Sequence, residues 1–343
     1  LYFIYQTFSK LSTMSQSNTT QQTISLTGIV DQTQFDKRLD QVLADLFPEY
    51  SRSKLKEWIL AGFVSIDGEV VTVARQKMRG DEQIDIHAEI AVQVQNTPQA
   101  IDLDIVFEDE HVLVINKPAG LVVHPGAGNA DGTVLNALLA YYPAIETIPR
   151  AGIVHRLDKD TTGLMVVAKT LIAQTYLVEQ LQTRVMSREY EALVYGTMVS
   201  GGFIDEPIGR HPTKRTSMAV RATGKEATTH YRIIEKFRVH THLRLKLESG
   251  RTHQIRVHMA HIRHPIIGDQ LYAGRPRMPK AASAHFMNAL RSFKRQALHA
   301  AQLSFAHPIS EDWLTFNAPI PDDFKQLLED VRADTVIHGI EED

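Results

Sequence analysis

The run His155-Arg156-Leu157-Asp158-Lys159-Asp160-Thr161-Thr162-Gly163 sets four charged side chains and two small hydroxyls between apolar flanks. A carboxylate in such a loop is charge-compensated by Arg156 and Lys159, and the small residues after it let a ligand come close. Asp158 is therefore a candidate nucleophile. The same residues also suit an Asx-type turn in which Asp158 or Asp160 caps backbone amides, and the loop alone does not choose between the two. A second candidate centre is the series His253, His258, His261 and His264, partly spaced by three along an expected helix. A metal site is disfavoured there, because His253 and His258 diverge on a helix, no acidic ligand lies among them, and Arg256 and Arg263 repel a cation. That helix face is expected to meet phosphate. Gly126-Ala127-Gly128 lacks the Gly-Lys-Ser continuation of a phosphate loop and reads as a turn.

The elements that must position these residues follow from periodicity. Ile105-Val106-Phe107 and Val112-Leu113-Val114-Ile115 flank the acidic turn Glu108-Asp109-Glu110 as paired strands. Further strands are expected over 163–168, 189–195, 228–234, 243–247 and 301–305, and helices over 134–141, 173–183, 254–261 and 322–332. Strands interrupted by helices make a mixed α+β domain over 104–332, followed by an acidic tail over 333–343. In front of it, Leu39, Val42, Leu43 and Leu46 recur at helical spacing until Pro48. A second helix, capped by Ser51 or Ser53, carries Leu55, Trp58, Ile59 and Leu60 and ends at Gly62. Residues 64–71 alternate around Asp67-Gly68, a hairpin signal, and 83–86 add a strand. This small α/β domain spans 36–90, and 91–103, with Pro98, read as a linker. Residues 1–35 read as a flexible arm, of which 1–13, ahead of Met14, are set aside as leader or non-native sequence.

Composition bounds the chemistry. The chain has 343 residues, 43% hydrophobic and 22% charged, as expected of a folded globular protein. It contains no cysteine, which excludes disulfides, thiolate zinc sites, iron–sulfur clusters and cysteine nucleophiles. No apolar run approaches the roughly 20 residues needed to cross a bilayer, so a cytoplasmic address without membrane partners is expected. The net charge of −3 hides an asymmetry: residues 150–300 hold 25 Lys and Arg against 11 Asp and Glu, with 11 His besides. Such a cationic segment is the footprint of a nucleic-acid partner or, more blandly, a solvated basic surface.

Four stretches identify a family. The His155 to Gly163 run resembles the signature of the RluA-family pseudouridine synthases. Three further stretches agree with it in family order: Ile115-Asn116-Lys117-Pro118-Ala119-Gly120-Leu121-Val122-Val123-His124-Pro125, Ser187-Arg188-Glu189-Tyr190-Glu191-Ala192, and Ser249-Gly250-Arg251-Thr252-His253-Gln254-Ile255-Arg256-Val257-His258. The similarity runs from about Asp36 to Arg332. It implies a catalytic domain built on a mixed, largely antiparallel sheet, no cofactor and no metal. By the resemblance Asp158 is the catalytic aspartate, Arg251 pairs with it, and Tyr190 lies against the uracil ring. Arg156 fills the space left by the flipped nucleotide, and Lys117 and Ile255 are placed with it at the substrate. On their own, Tyr190 reads as a core aromatic and Arg251 as a surface cation.

The two helices and hairpin over Asp36 to Glu89 resemble the S4 RNA-binding module, implying RNA contacts at Arg38, Arg52, Lys54 and Lys56. That span holds 8 basic against 11 acidic residues, so any contact must come from a local cluster. Resemblance in detail, including 125–139 (PGAGNADGTVLNALL) and 210–216 (RHPTKRT), to the family's members that act on ribosomal RNA implies large-subunit (23S) ribosomal RNA as partner, in a hairpin loop at the subunit interface; a monomer is expected. Two other classes stay open: a ribosome-assembly RNA binder without catalysis, opposed by intact Asp158, Tyr190 and Arg251, and an Asp-dependent hydrolase releasing free uracil.

Overall fold

The computed structural model describes residues 21–340 apart from Glu49, Ser51, 92–95, Ala127 and Arg215; the expected leader, most of the arm and the Ser51 cap lie outside the described residues. The chain divides into two units, 1–95 and 96–343.

In the smaller unit, strand β1 (Gln21–Ile29) is followed by helices α1 (Leu39–Leu46) and α2 (Arg52–Leu60), the hairpin β2 (Val64–Ile66) and β3 (Glu69–Val70), and strand β4 (Gln83–Ala91). The apolar stripes of both helices close a core of Leu39, Leu43, Leu55, Trp58, Ile84 and Ile86. Asp67 and Gly68 both take positive φ, at 49° and 85°, the backbone that a two-residue hairpin turn requires. The expectation of a flexible arm up to residue 35 is corrected here. β1 pairs antiparallel with β4 from Gln21↔Ala91 to Ile29↔Gln83. Its polar composition hides an alternation, Ile24 and Leu26 against Ser25 and Thr27, which becomes a buried face only beside β4.

The larger unit runs β5 (Ile105–Glu108), β6 (Val112–Lys117), α3 (Val134–Tyr141), β7 (Thr162–Ala168), α4 (Leu171–Gln182), β8 (Ser187–Tyr195) and β9 (Gly202–Asp205). It continues through β10 (Ile208–Arg210), β11 (Met218–Val220), β12 (Thr228–Lys236), β13 (His240–Leu247), α5 (Gln254–His261), α6 (Ala284–Ser292), β14 (Leu298–Ala306), β15 (Trp313–Asn317) and α7 (Asp322–His338). Its main sheet has nine strands in the order β5-β6-β7-β14-β8-β13-β12-β9, with β15 on β14. All pairs are antiparallel except β7 with β14. The central strands are buried on both faces: Leu113, Ile115, Met165 and Val167 join one core, while Val112, Val114, Leu164 and Val166 join the other. Helices α3, α5, α6 and α7 cover the first face and α4 the second.

Two further boundaries differ from expectation. Residues 97–99 belong to the larger unit rather than a free linker, since the Gln99 amide donates to Asn136 O at 3.0 Å and Asn136 Nδ2 to Thr97 O at 2.9 Å. The acidic tail is helical to His338 because α7 carries its buried stripe through Leu328 and Val331 and stops at Gly339, φ 76°. Short elements β9 to β11, α6 and β15 were not foreseen; each is too brief or too exposed to show a period.

Candidate active site

The Asp158 loop is pinned from three sides. Thr161 Oγ1 accepts from Gln296 Nε2 at 2.9 Å, and Thr162 Oγ1 meets His299 Nδ1 at 2.8 Å, fastening the loop to the start of β14. Gly163 then enters β7 with φ 112°, where a Cβ would stand 2.3 Å from Ala300 O; only glycine lets the parallel strands approach. Behind the loop, Lys117 Nζ donates to the carbonyls of Pro118, Leu121 and Lys159 at 2.7, 2.9 and 2.9 Å. Burial pushes the Lys117 ammonium down to about 7, with Asp160 and Asp158 pulling the other way. The Asp158 carbonyl accepts from the Thr161 amide at 3.1 Å, closing a tight turn that Asp158 opens and whose tip is Lys159-Asp160.

That side chain does not cap its own loop. Asp158 Oδ2 accepts from Arg256 Nη1 at 2.8 Å, while Arg256 Nε and Nη2 bind Asp269 at 2.7 and 2.9 Å. One planar guanidinium thus joins two carboxylates, and Asp269 is 1% exposed. Arg256 also lies 5.1 Å from the Tyr272 ring centroid, and the Tyr272 hydroxyl meets His253 Nδ1 at 2.7 Å. The expectation that Arg251 pairs with Asp158 is therefore corrected. Arg251 precedes α5, is exposed, and donates from Nε to Glu226 O at 3.0 Å. Arg256 lies in the first turn of α5, after His253 in the left-handed region at φ 57°, and the helix carries it inward.

Asp158 opens onto a cavity of about 570 Å3. Of the residues expected at the site, Arg156, Tyr190, Arg251 and Ile255 also line it; Lys117 does not and stands behind the loop. Asp160 faces a separate depression beside Lys294, Arg295 and Asp323. Tyr190 is 5% exposed, and burial pushes its phenol up, Arg188 opposing and Asp158 reinforcing. His155 is pushed down to about 3 by burial and by Arg188, and its Nε2 accepts from the Val166 amide at 3.2 Å. His258 corrects another expectation: it is fully buried, bound to Thr229 Oγ1 and Glu206 O, and presents nothing to phosphate.

In the small unit, Arg38 and Arg52 both bind buried Asp40, at 2.9 and 2.7 Å. Burial would raise the Asp40 carboxyl, but Arg52 and Arg38 hold it below the usual range. Lys54 pairs with Glu57 at 3.0 Å and lies over Trp58, whereas Lys56 is exposed. Arg188, Arg256, Asp269 and Tyr272 were missed as site residues. For Arg256 the available signal was its place in the fourth stretch, three residues after His253 on an expected helix.

Residues 111–261 match the family described as RNA pseudouridylate synthase and residues 37–84 the S4 domain. The chain is 61% identical over 322 residues to the ribosomal large subunit pseudouridine synthase D of Escherichia coli strain K12, covering 94% of this chain and 99% of that protein. It is 59% identical over 315 residues to the protein of the same name from Pasteurella multocida strain Pm70, covering 92% and 97%. Among solved structures, human RNA Pseudouridylate Synthase Domain Containing 4 superposes with a TM-score of 0.52 at 27% identity, over 67% of this chain and 93% of that one. Sequence likeness that spans nearly the whole chain, with a matching catalytic fold, means that the chain belongs to the RluA-family pseudouridine synthases, RNA-modifying isomerases, with an S4 domain ahead of the catalytic one.

Proposed function

We propose that this chain isomerises uridine to pseudouridine in large-subunit (23S) ribosomal RNA, within a hairpin loop at the subunit interface, with Asp158 as the catalytic carboxylate. The observation that carries the reading is Asp158 held by Arg256 at 2.8 Å on the wall of a cavity that also presents Tyr190. At about 570 Å3 that cavity falls within the roughly 300–1,000 Å3 of small-ligand sites, room for one extruded nucleotide. The relatives named for the large ribosomal subunit support the RNA class.

The reaction breaks the N1–C1′ bond, turns the base and forms C5–C1′; the C5 proton leaves and N1 gains one. No electrons enter or leave. Asp158 attacks C1′, attacks C6 or assists elimination at the sugar, and each route needs an oxygen that is aimed yet reactive. Oδ2 is tied to Arg256, while Oδ1 has His253 Nε2 only at 3.9 Å and is the oxygen available to the substrate. Tyr190, kept protonated by burial, stacks on uracil and holds a proton at Oη. Arg156, exposed at the mouth, takes the place of the extruded base; Ile255 gives an apolar wall, and Arg251 meets the RNA at the rim. Lys117 acts by shaping the loop. Arg38, Arg52, Lys54 and Lys56 are proposed to meet RNA through the S4 domain, Arg52 and Lys56 being the exposed pair.

The test maps pseudouridine in ribosomal RNA from cells lacking the protein and complemented with wild type or Asp158→Asn. Wild type should restore the marks and the variant should not. Restoration by the variant would remove Asp158 from the chemistry.

A further inference from the structure

Arg188 lies on β8 two residues before Tyr190, so the two side chains share a face of the strand about 7 Å apart at the backbone. It is only 6% exposed, yet it lines the Asp158 cavity. Its Nε finds no hydrogen-bond partner among the described residues. The carboxylates beside it on β8 and those that line the cavity each pair with another cation. Glu189 and Glu191 point to the opposite face of β8, where they pair with Arg244 and His242. Asp158 is held by Arg256, and Glu248 by Arg184 and His230. The neighbours of Arg188 are instead His155, the phenol of Tyr190 and the bare Cα of Gly250, where a Cβ would stand 2.7 Å from Nη1. A buried guanidinium left without a counter-charge is costly, and such a group persists where a ligand supplies the missing charge.

We propose that Arg188 binds a backbone phosphate of the target nucleotide through its guanidinium while Tyr190 takes the base. This rests on the uridine reading above. A phosphate fits better than a uracil carbonyl because it neutralises the cation and offers paired acceptors to the guanidinium fork. The separation along β8 between the residue for the base and the residue for the anion matches a base and the phosphate of its own nucleotide. Gly250 keeps the lane beside the guanidinium free of a side chain.

The test first maps the uridine that the wild-type protein converts in a large-subunit ribosomal RNA transcript. Binding is then measured in the Asp158→Asn background with synthetic RNA bearing a neutral methylphosphonate on one or the other side of that uridine. With Arg188 present, one of the two substitutions should weaken binding about 10-fold, as loss of one charge-assisted contact does. With Arg188→Met added, the same substitution should change binding less than about 2-fold, and Arg188→Lys should restore part of the difference. An equal penalty in both proteins at both positions overturns the proposal. The free protein gives an independent readout: Arg188→Met should melt at the same or a higher temperature, because it removes a buried unpaired cation. A fall of several degrees would make Arg188 a structural residue and also overturn it. A wild-type protein that makes no pseudouridine would overturn the uridine reading and this inference together, whereas intact turnover without phosphate coupling overturns this inference alone.

Discussion

Arg256 neutralises two carboxylates with one planar cation, which makes it the residue on which the geometry of Asp158 depends. Arg256→Gln should leave Asp269 buried without its partner and cost about 3–5 kcal/mol, readable as a lower melting temperature, besides abolishing turnover. Arg251→Gln, at an exposed position, should change the melting temperature by less than about a degree and weaken RNA binding under about 10-fold. Parallel melts and RNA titrations of the two variants decide which arginine serves Asp158, and the reverse ranking would return the role to Arg251. Tyr190→Phe should bind RNA nearly as wild type does while its single-turnover rate falls; unchanged turnover would remove the phenol from proton transfer. Lys117 adds a pH dependence with a definite sign. Its folded value of about 7 lies below its ordinary 10.5, so the folded state holds fewer protons between those limits and stability rises with pH there. Relative to Lys117→Met, the wild type should gain melting temperature from about pH 7 upward. A difference flat across that range would show that Lys117 keeps its charge in the fold.

The Asp158 loop is set by the elements it joins. Gly163 is needed because β7 and β14 run parallel and close at Ala300, whereas Gly132, also at positive φ, faces open space. Gly163→Ala should therefore cost about 3 kcal/mol or more, and Gly132→Ala about 1 kcal/mol, the usual penalty for a left-handed alanine. Denaturant titration of the pair separates steric closure from backbone preference, and similar losses would refute the close-approach argument. In the S4 domain, Arg38 and Arg52 are held by Asp40 near the starts of α1 and α2, so their first role is to fix the two helices together.

At the scale of the molecule, the two units have separate cores, and the cationic excess lies in residues 150–300 of the larger one. Removing residues up to Gln95 should leave the larger unit folded, while RNA affinity or target choice falls. Measured against salt, the truncated protein should show a shallower slope of log affinity on log salt concentration, since fewer phosphates are neutralised. Equal affinity and slope would reduce the S4 domain to packing. Among the described residues no helix is long and apolar enough to cross a membrane.

Local order by itself determined the long elements and marked the charged loop around Asp158 as a candidate site. The stripe of α1, the turn at Asp67-Gly68, the buried runs of β6 and β7 and the charged sequence around Asp158 are written in neighbouring residues, where side-chain period and turn chemistry act. The partner of Asp158 was not legible in that way. Arg251 and Arg256 occupy the same short stretch, and only the start of α5, with left-handed His253 at its cap, turns one outward and the other onto Asp158 and Asp269. The pairing of β1 with β4, the enclosure of His258 and the isolation of Arg188 were equally hidden, because each depends on which distant strand or carboxylate arrives beside it. Residue type and family likeness pointed to Asp158; tertiary contact chose its counter-ion and left Arg188 Nε, on the same cavity, without a hydrogen-bond partner among the described residues.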